Sequence, residues 1–347
     1  MIKKMFALST VLSGILLISG CSQKKEASDI NMTSQTRDVF AMDTFMNMKA
    51  YGQNADIALS EAEKRILQLE EELSVTNETS DIWKIDHSDG KSVEVSDDTA
   101  IIINKAIEMG DGTGGALDIT LYPVLKEWGF TTGDHKVPGE QTLKRLLENV
   151  DYSKVNIDGV TVSLPEDVEI DLGALAKGYT GDEIMKSMAD NGISSAIVSL
   201  GGNVQALGTK PDGSNWKVAV RDPFAPDTDM CIIEIADKAV ITSGNYERYF
   251  TADDGSVYWH ILDPADGYPA DNGLVSVTVI GDCGLDCDAL STALFVAGYD
   301  GARKLLKSDP SFDLILVSDD HRIYYTEGIA DRFTNISSME AEVISLD

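Results

Sequence analysis

Residues 171–203 read DLGALAKGYTGDEIMKSMADNGISSAIVSLGGN, and this run decides the fold class. From Leu175 to Asp190 apolar residues recur at helical spacing, and Asn191-Gly192 supplies a stop. Ser195–Leu200 then reads as a strand. Upstream, Val168–Ile170 reads as a short strand that turns through Gly173 into the helix. A β-α-β pattern thus begins, but the next segments, Trp216–Arg221 and Cys231–Ala236, are both strand-like with no helix between them. The regular alternation of a doubly wound sheet is broken. The expectation is an α+β fold with mixed and antiparallel sheets and packed helices.

Further from this run, Ile57, Ala58, Ala62, Ile66, Leu69 and Leu73 predict a helix over 54–73 with Asn54 as its N-cap. A second helix is expected over Asp97–Met109, capped by Ser96 or Asp97 and stopped by Gly110, and a third pattern covers Asp288–Gly298. Val257–Leu262, Leu274–Ile280 and Asp313–Val317 read as further strands. No repeat or linker divides residues 37–347, which read as one catalytic unit. The 347 residues carry 28 Lys+Arg against 58 Asp+Glu, a net charge of −30. That balance argues against a nucleic-acid partner, which needs cations to displace counterions from phosphates. A basic lipid-binding surface is disfavoured for the same reason, and a phosphate-bearing ligand calls for a local device such as a bound cation.

At the N-terminus Lys3 and Lys4 precede an uncharged run from Met5 to Gly20, too short for a membrane span and suited to a signal peptide over residues 1–20. The run ends in Ile18-Ser19-Gly20-Cys21, which looks like a lipobox, with Cys21 the lipidated mature N-terminus. Residues 21–36 read as a flexible tether. The expected location is extracytoplasmic, lipid-anchored to the cell membrane. Cys231, Cys283 and Cys287 remain; the last two could hold a local disulfide. They lack the second Cys/His pair that a zinc site requires.

Four constellations could carry chemistry. Gly112–Thr120 clusters glycines that let backbone approach a ligand, although a plain turn explains them as well. It is neither a Walker A loop nor a dinucleotide fingerprint. Asp171–Asp182 leads into a helix start beside Lys177, a place for a phosphate; a capping Asp171 and a solvated Lys177 are the plain alternative. Leu200-Gly-Gly-Asn203, Thr242–Arg248, and His260-Ile-Leu-Asp263-Pro264 follow strands. Ser243, His260 and Asp263 do not form a hydrolase pattern, because no Gly-x-Ser-x-Gly elbow exists. Asp288 and Thr292 fall at i and i+4 of a helix, a carboxylate and a hydroxyl on one face, which suits Mg²⁺. A helix-start charge and a hydroxyl bonded to its own helix would give the same pattern.

Taken in order, Ala41-Met-Asp-Thr44, the Gly-Gly-Ala-Leu-Asp-Ile-Thr run, Asp-Leu-Gly-x-x-Ala-Lys-Gly-Tyr, Gly-Gly-Asn, Thr-Ser-Gly-x-Tyr, His-Ile-Leu-Asp-Pro and Asp-Ala-Leu-Ser-Thr resemble the ApbE family, the FAD:protein FMN transferases. The resemblance spans residues 38–330. It implies a Mg²⁺-dependent reaction in which FAD is cleaved, AMP leaves, and FMN joins a Thr or Ser hydroxyl of a partner flavoprotein. By match to the family motifs, Met42, Ala116, Leu117, Asp118, Asp171, Tyr179 and Leu262 would contact FAD, with Lys177 at the pyrophosphate. The carbonyl of Ala176 with Asp288 and Thr292 would hold the metal, and His260 and Asp263 are the candidates beside the incoming hydroxyl. The chain departs from the pattern at Asp43, where glycine is usual, at Leu117, where phenylalanine is usual, and around Leu73-Ser74, where Val75-Thr76 stand in place of an aromatic. Two other readings compete: an FAD pyrophosphatase in which water replaces the hydroxyl, and a non-catalytic FAD-binding lipoprotein.

Overall fold

Nine strands lie side by side in chain order in the computed structural model, which describes residues 33–346. They are β1 (Ser34–Ala41), β2 (Thr44–Tyr51), β3 (Ala196–Leu200), β4 (Asn203–Leu207), β5 (Ala239–Gly244), β6 (Leu274–Gly281), β7 (Asp313–Ser318), β8 (Arg322–Tyr325) and β9 (Glu340–Val343). Neighbours are antiparallel except the last pair, β8–β9, which is parallel. Among the described residues seven α-helices accompany the sheet: α1 (Ala55–Leu73), α2 (Asp81–Asp86), α3 (Asp97–Thr113), α4 (Tyr122–Trp128), α5 (Glu140–Leu147), α6 (Ala176–Asp190) and α7 (Gly284–Ser308). The class is α+β, as the broken alternation predicts.

Burial explains the layering. On one face α1 and α6 bury Leu59, Ala62, Ile66, Ile184 and Met188 against β1–β3, and α7 lays Leu290, Leu294 and Phe295 on β5–β7. The opposite face of the central strands is covered by a three-stranded sheet of Trp216–Asp222, Ala225–Ile235 and Phe333–Asn335. With both faces covered, all eight residues of β6 are buried. β1 and β2 are covered mainly on the helix side: Val39, Ala41, Met46 and Met48 point inward and Phe40 and Phe45 stay exposed, while Tyr51 at the end of β2 packs on Trp216 of the three-stranded sheet.

Several sequence-based boundaries move. α3 passes Gly110 and ends at Thr113, with Gly114 as its left-handed cap; Gly110 is needed because the ring of Tyr152 lies where a side chain would stand. Val168–Ile170 belongs to no strand; Ile170 N–H donates instead to Asp86 and Asp171 N–H to the Ile119 carbonyl. Asn54 does not cap α1 with its side chain, which donates to the Asn191 carbonyl. The strand expected at 257–262 stops at Trp259, with Leu262 forming only an isolated bridge to Pro269. α7 starts four residues before Asp288 and continues past Gly298, whose φ of 72° breaks the helix there. β1 begins at Ser34, inside the stretch read as tether. Cys231, Cys283 and Cys287 are all free thiols, so the suggested Cys283–Cys287 bridge is absent. Residues 1–20 and Cys21 lie outside the described residues. Among the described residues no helix is long and apolar enough to cross a membrane.

Candidate active site

The site is built where the starts of α6 and α7 cross. Asp182 on α6 accepts N–H bonds from Gly284 and Leu285 at 2.7 and 2.8 Å, capping α7 with a carboxylate. Gln205 of β4 donates to the Gly178 carbonyl at 3.0 Å and fills the angle between the helices. A Cβ on Gly178 would stand 2.6 Å from that of Asp288, and one on Gly284 would strike Gln205, so both glycines are set by the closeness of the crossing.

The crossing brings the α6 start to Asp288. Its carboxylate, 4% exposed, accepts the Gly178 N–H at 2.8 Å. Burial raises the Asp288 pKa above the usual carboxylate range, opposed by the charge of Lys177, by that N–H bond and by Asn203 at the head of β4. Ala176, the first residue of α6, lends its carbonyl to the Thr180 hydroxyl at 2.7 Å. Thr292, one turn after Asp288, lies 3.3 Å from the Ser243 hydroxyl, which in turn bonds Ser291 at 2.8 Å. Of the predicted metal residues, Asp288 thus meets the first turn of α6, which Ala176 opens, and Thr292 lies one turn further along α7 beside Ser243.

Around it gather further charges. Lys177 makes no ion pair within 4 Å among the described residues, yet its charge acts on Asp171, Glu247, His260 and Asp288. Arg248 acts on Asp171, Glu247 and His260. Asp171 turns Oδ1 to the Gly173 N–H at 2.7 Å and is raised by burial. His260 is half-buried; burial first, then Arg248, pushes its pKa down to about 4, so the ring is neutral near pH 7. Nδ1 lies 3.2 Å from the Arg248 carbonyl, an acceptor only, which places the proton on Nδ1 and a lone pair on Nε2.

The remaining predicted residues are engaged in turns, loops and the core. Met42 and Asp43 form the β1–β2 turn with φ of 50° and 57°, the two positive values of a type I′ turn. Met42 N–H donates to Glu70 at 2.7 Å, and its sulfur lies 3.8 Å from the Thr180 hydroxyl. Asp43 points toward Arg248, 4.0 Å away. Gly201 N–H donates to the Phe45 carbonyl, so this turn and the Gly-Gly-Asn turn share one end of the sheet. Asp118 organises its own loop, accepting from Thr120 N–H and hydroxyl and from Tyr152 N–H. Ala116 is half-buried, and Leu117 and Leu262 are core residues. The Tyr179 hydroxyl bonds Asp98, which also pairs with Arg65 at 2.6 Å, so this tyrosine ties α6 to α3 and α1. Asp263 caps a turn, accepting the Ala265 N–H at 2.8 Å. Sequence reasoning assigned no role to Asn203, Gln205, Ser243, Glu247 or Arg248; all but Gln205 lie in or beside motifs that the ordered set contained.

A family model described as the ApbE family matches residues 42–316. The FAD:protein FMN transferase of Treponema pallidum is 30% identical over 341 residues, covering 92% of this chain and 94% of that protein. That of Escherichia coli K12 is 29% identical, covering 88% and 90%. Among solved structures, the ApbE protein of Thermotoga maritima superposes with a TM-score of 0.81 at 32% identity, over 86% of this chain and 99% of its own. The flavin transferase ApbE of Vibrio cholerae gives 0.78 at 26% identity, over 87% and 99%.

Proposed function

The chain belongs to the ApbE family, and from that premise we propose that it is an FAD:protein FMN transferase. The hydroxyl oxygen of a Thr or Ser on a partner flavoprotein bonds to the FMN-side phosphorus of FAD, the pyrophosphate bridge breaks, and AMP leaves. The observation that carries this reading is the buried Asp288 carboxylate held against the first turn of α6 beside Lys177. A carboxylate buried with so little compensation invites a cation. The donors on hand are oxygens: one carboxylate, one hydroxyl and one carbonyl. Among the described residues no three His, Cys, Asp or Glu side chains gather into a metal cage. That set fits Mg²⁺, which takes few protein ligands and completes its shell with water and phosphate.

Ala176, Asp288 and Thr292 would hold the ion, which when bound neutralises charge on the pyrophosphate. Lys177 offers a second positive charge to the phosphates, in a chain whose net charge of −30 repels them. Neutral His260 presents Nε2 to the incoming hydroxyl and takes its proton, while the Arg248 carbonyl fixes the ring's tautomer. Phosphoryl-type transfer asks mainly for positioning and charge stabilisation, so a weak base suffices. The Met42–Asp43 turn and the Ala116–Asp118 loop flank the flavin in this reading. Cys21 anchors the protein outside the cytoplasm through its acyl chains.

The test incubates the protein with FAD, Mg²⁺ and a candidate exported flavoprotein and reads in-gel flavin fluorescence after denaturation. Covalent flavin on the acceptor is expected. Free FMN and AMP without covalent flavin would overturn transfer in favour of FAD hydrolysis.

A further inference from the structure

Ser243 lies near the end of β5, and alternation puts it on the same face as Ile241. Ile241 packs there in one apolar cluster with Leu290 and Leu294 of α7, and Val277 of β6, opposite Ser243 in register, joins them. A hydroxyl is the exception on such a face. It meets two others on α7, Ser291 at 2.8 Å and Thr292 at 3.3 Å. Thr242, one residue earlier and so on the other face, bonds Thr278 instead.

Each of these hydroxyls has one hydrogen to give and two lone pairs to receive with. Ser291, fully buried, donates its hydrogen to the Asp288 carbonyl at 2.9 Å, an oxygen that can only accept. Toward Ser243 it is therefore the acceptor, and Ser243 spends its own hydrogen there. Only lone pairs of Ser243 are left to face Thr292, so in that contact the Thr292 hydroxyl donates. The bonds thus run in one direction, from Thr292 to Ser243, from Ser243 to Ser291, and from Ser291 to the backbone of Asp288. Among the described residues Ser243 is the one hydrogen-bond partner of the Thr292 hydroxyl, which is not bonded to its own helix.

This direction decides what Thr292 shows to a cation. With its hydrogen turned to Ser243, its lone pairs stay open; turned the other way, the hydroxyl would present its positive end. We infer that Ser243 is a positioning residue of the metal site, holding the Thr292 proton aside so that the oxygen is left as a ligand, a role that rests on the metal reading of Asp288 and Thr292.

The probe is Mn²⁺, a hard ion that takes the same oxygen ligands, titrated into the full chain and read by the EPR signal of the free ion. Ser243→Ala should weaken binding about fivefold, the net worth of one neutral hydrogen bond. Ser243→Thr keeps the hydroxyl and should bind within about twofold of the wild type. In a Thr292→Val background Ser243→Ala should cost nothing more, because Ser243 acts through that hydroxyl; a general loosening of the β5–α7 contact would weaken binding in both backgrounds. Ser243→Cys, whose sulfur accepts weakly, should fall with Ser243→Ala and replaces it if the alanine protein misfolds. Binding unchanged by Ser243→Ala, or an equal further loss on top of Thr292→Val, would overturn the inference. Asp288→Asn tells the two levels apart. Loss of Mn²⁺ binding in Asp288→Asn with none in Ser243→Ala refutes the positioning role alone. Wild-type binding in Asp288→Asn refutes the metal site, and the role of Ser243 with it.

Discussion

Replacing Asp288 by Asn and by Ala should separate stability from activity. Both changes remove a charge whose burial is under-compensated, as its raised pKa shows. They differ in what they leave behind. Asn keeps an oxygen for the Gly178 N–H, now accepted at 2.8 Å, whereas Ala leaves that N–H buried and unpaired. An orphaned buried donor costs about 1–3 kcal/mol. Without divalent ion, Asp288→Asn should therefore match or exceed the wild type in urea denaturation, and Asp288→Ala should fall about 1–3 kcal/mol below the Asn variant. Adding Mg²⁺ at about 100 times its Kd should stabilise the wild type by about 2.7 kcal/mol and neither variant. Transfer should drop on the order of a thousandfold in both, because a metal clamp is worth several kcal/mol in the transition state. Thr292→Ala, which removes a neutral ligand, should cost far less. Stopped assays of covalent flavin against Mg²⁺ concentration, paired with the denaturation curves, read all of this. An Asp288→Asn protein with near-normal rate and Mg²⁺ dependence, or one less stable than the Ala variant, would refute the reasoning.

Gly178→Ala should destabilise by about 1–3 kcal/mol and weaken FAD binding, since a methyl there prises α6 from α7; wild-type thermal unfolding would contradict the close crossing. Asp43→Gly should raise stability by about 0.5–1 kcal/mol, seen by calorimetry, because a side chain no longer occupies left-handed backbone in an I′ turn. The His260 ring, followed by NMR, should titrate near 4, and Arg248→Gln should move that value up by removing a repelling cation. Because the unfolded chain protonates this histidine near its ordinary 6.5 and the native one only near 4, its contribution to stability is present above 6.5 and declines as pH falls toward 4.

Motif order and periodicity carried much of this architecture. The helices at 55–73 and 176–190 and the strands at 196–200, 274–281 and 313–318 were legible because their apolar faces meet a core with matching period. Gly110 misled because a glycine in a helix was read as a stop, when it is there to admit the ring of Tyr152 from a distant segment. Val168–Ile170 has the composition of a strand, but its hydrogen bonds go to a side chain and a loop carbonyl that only the tertiary fold supplies. Asp288 and Thr292 were singled out by their i, i+4 spacing and by match to the family motifs, and the buried, helix-bonded carboxylate of Asp288 is what the fold adds. Glu247, Arg248 and Gln205 act across elements, through field and packing, and leave no periodic trace.

The chain-order pairing of the nine strands also constrains how the protein forms. From β4 onward each strand meets one made at most a few tens of residues before it, across two hairpins, α7 and one short strand. β2 and β3 are the exception, since the whole segment 52–195 intervenes. Closing a loop of that length costs about 2.3 kcal/mol more in chain entropy than closing one of ten residues, at roughly 0.6 kcal/mol per doubling. During synthesis the β1–β2 hairpin emerges well before β3 and must wait for it, with Val39, Met46 and Met48, which the finished fold buries, still uncovered. The β2–β3 seam is thus the pairing of the sheet that bears the largest loop-closure cost, and non-local pairing of this kind slows folding.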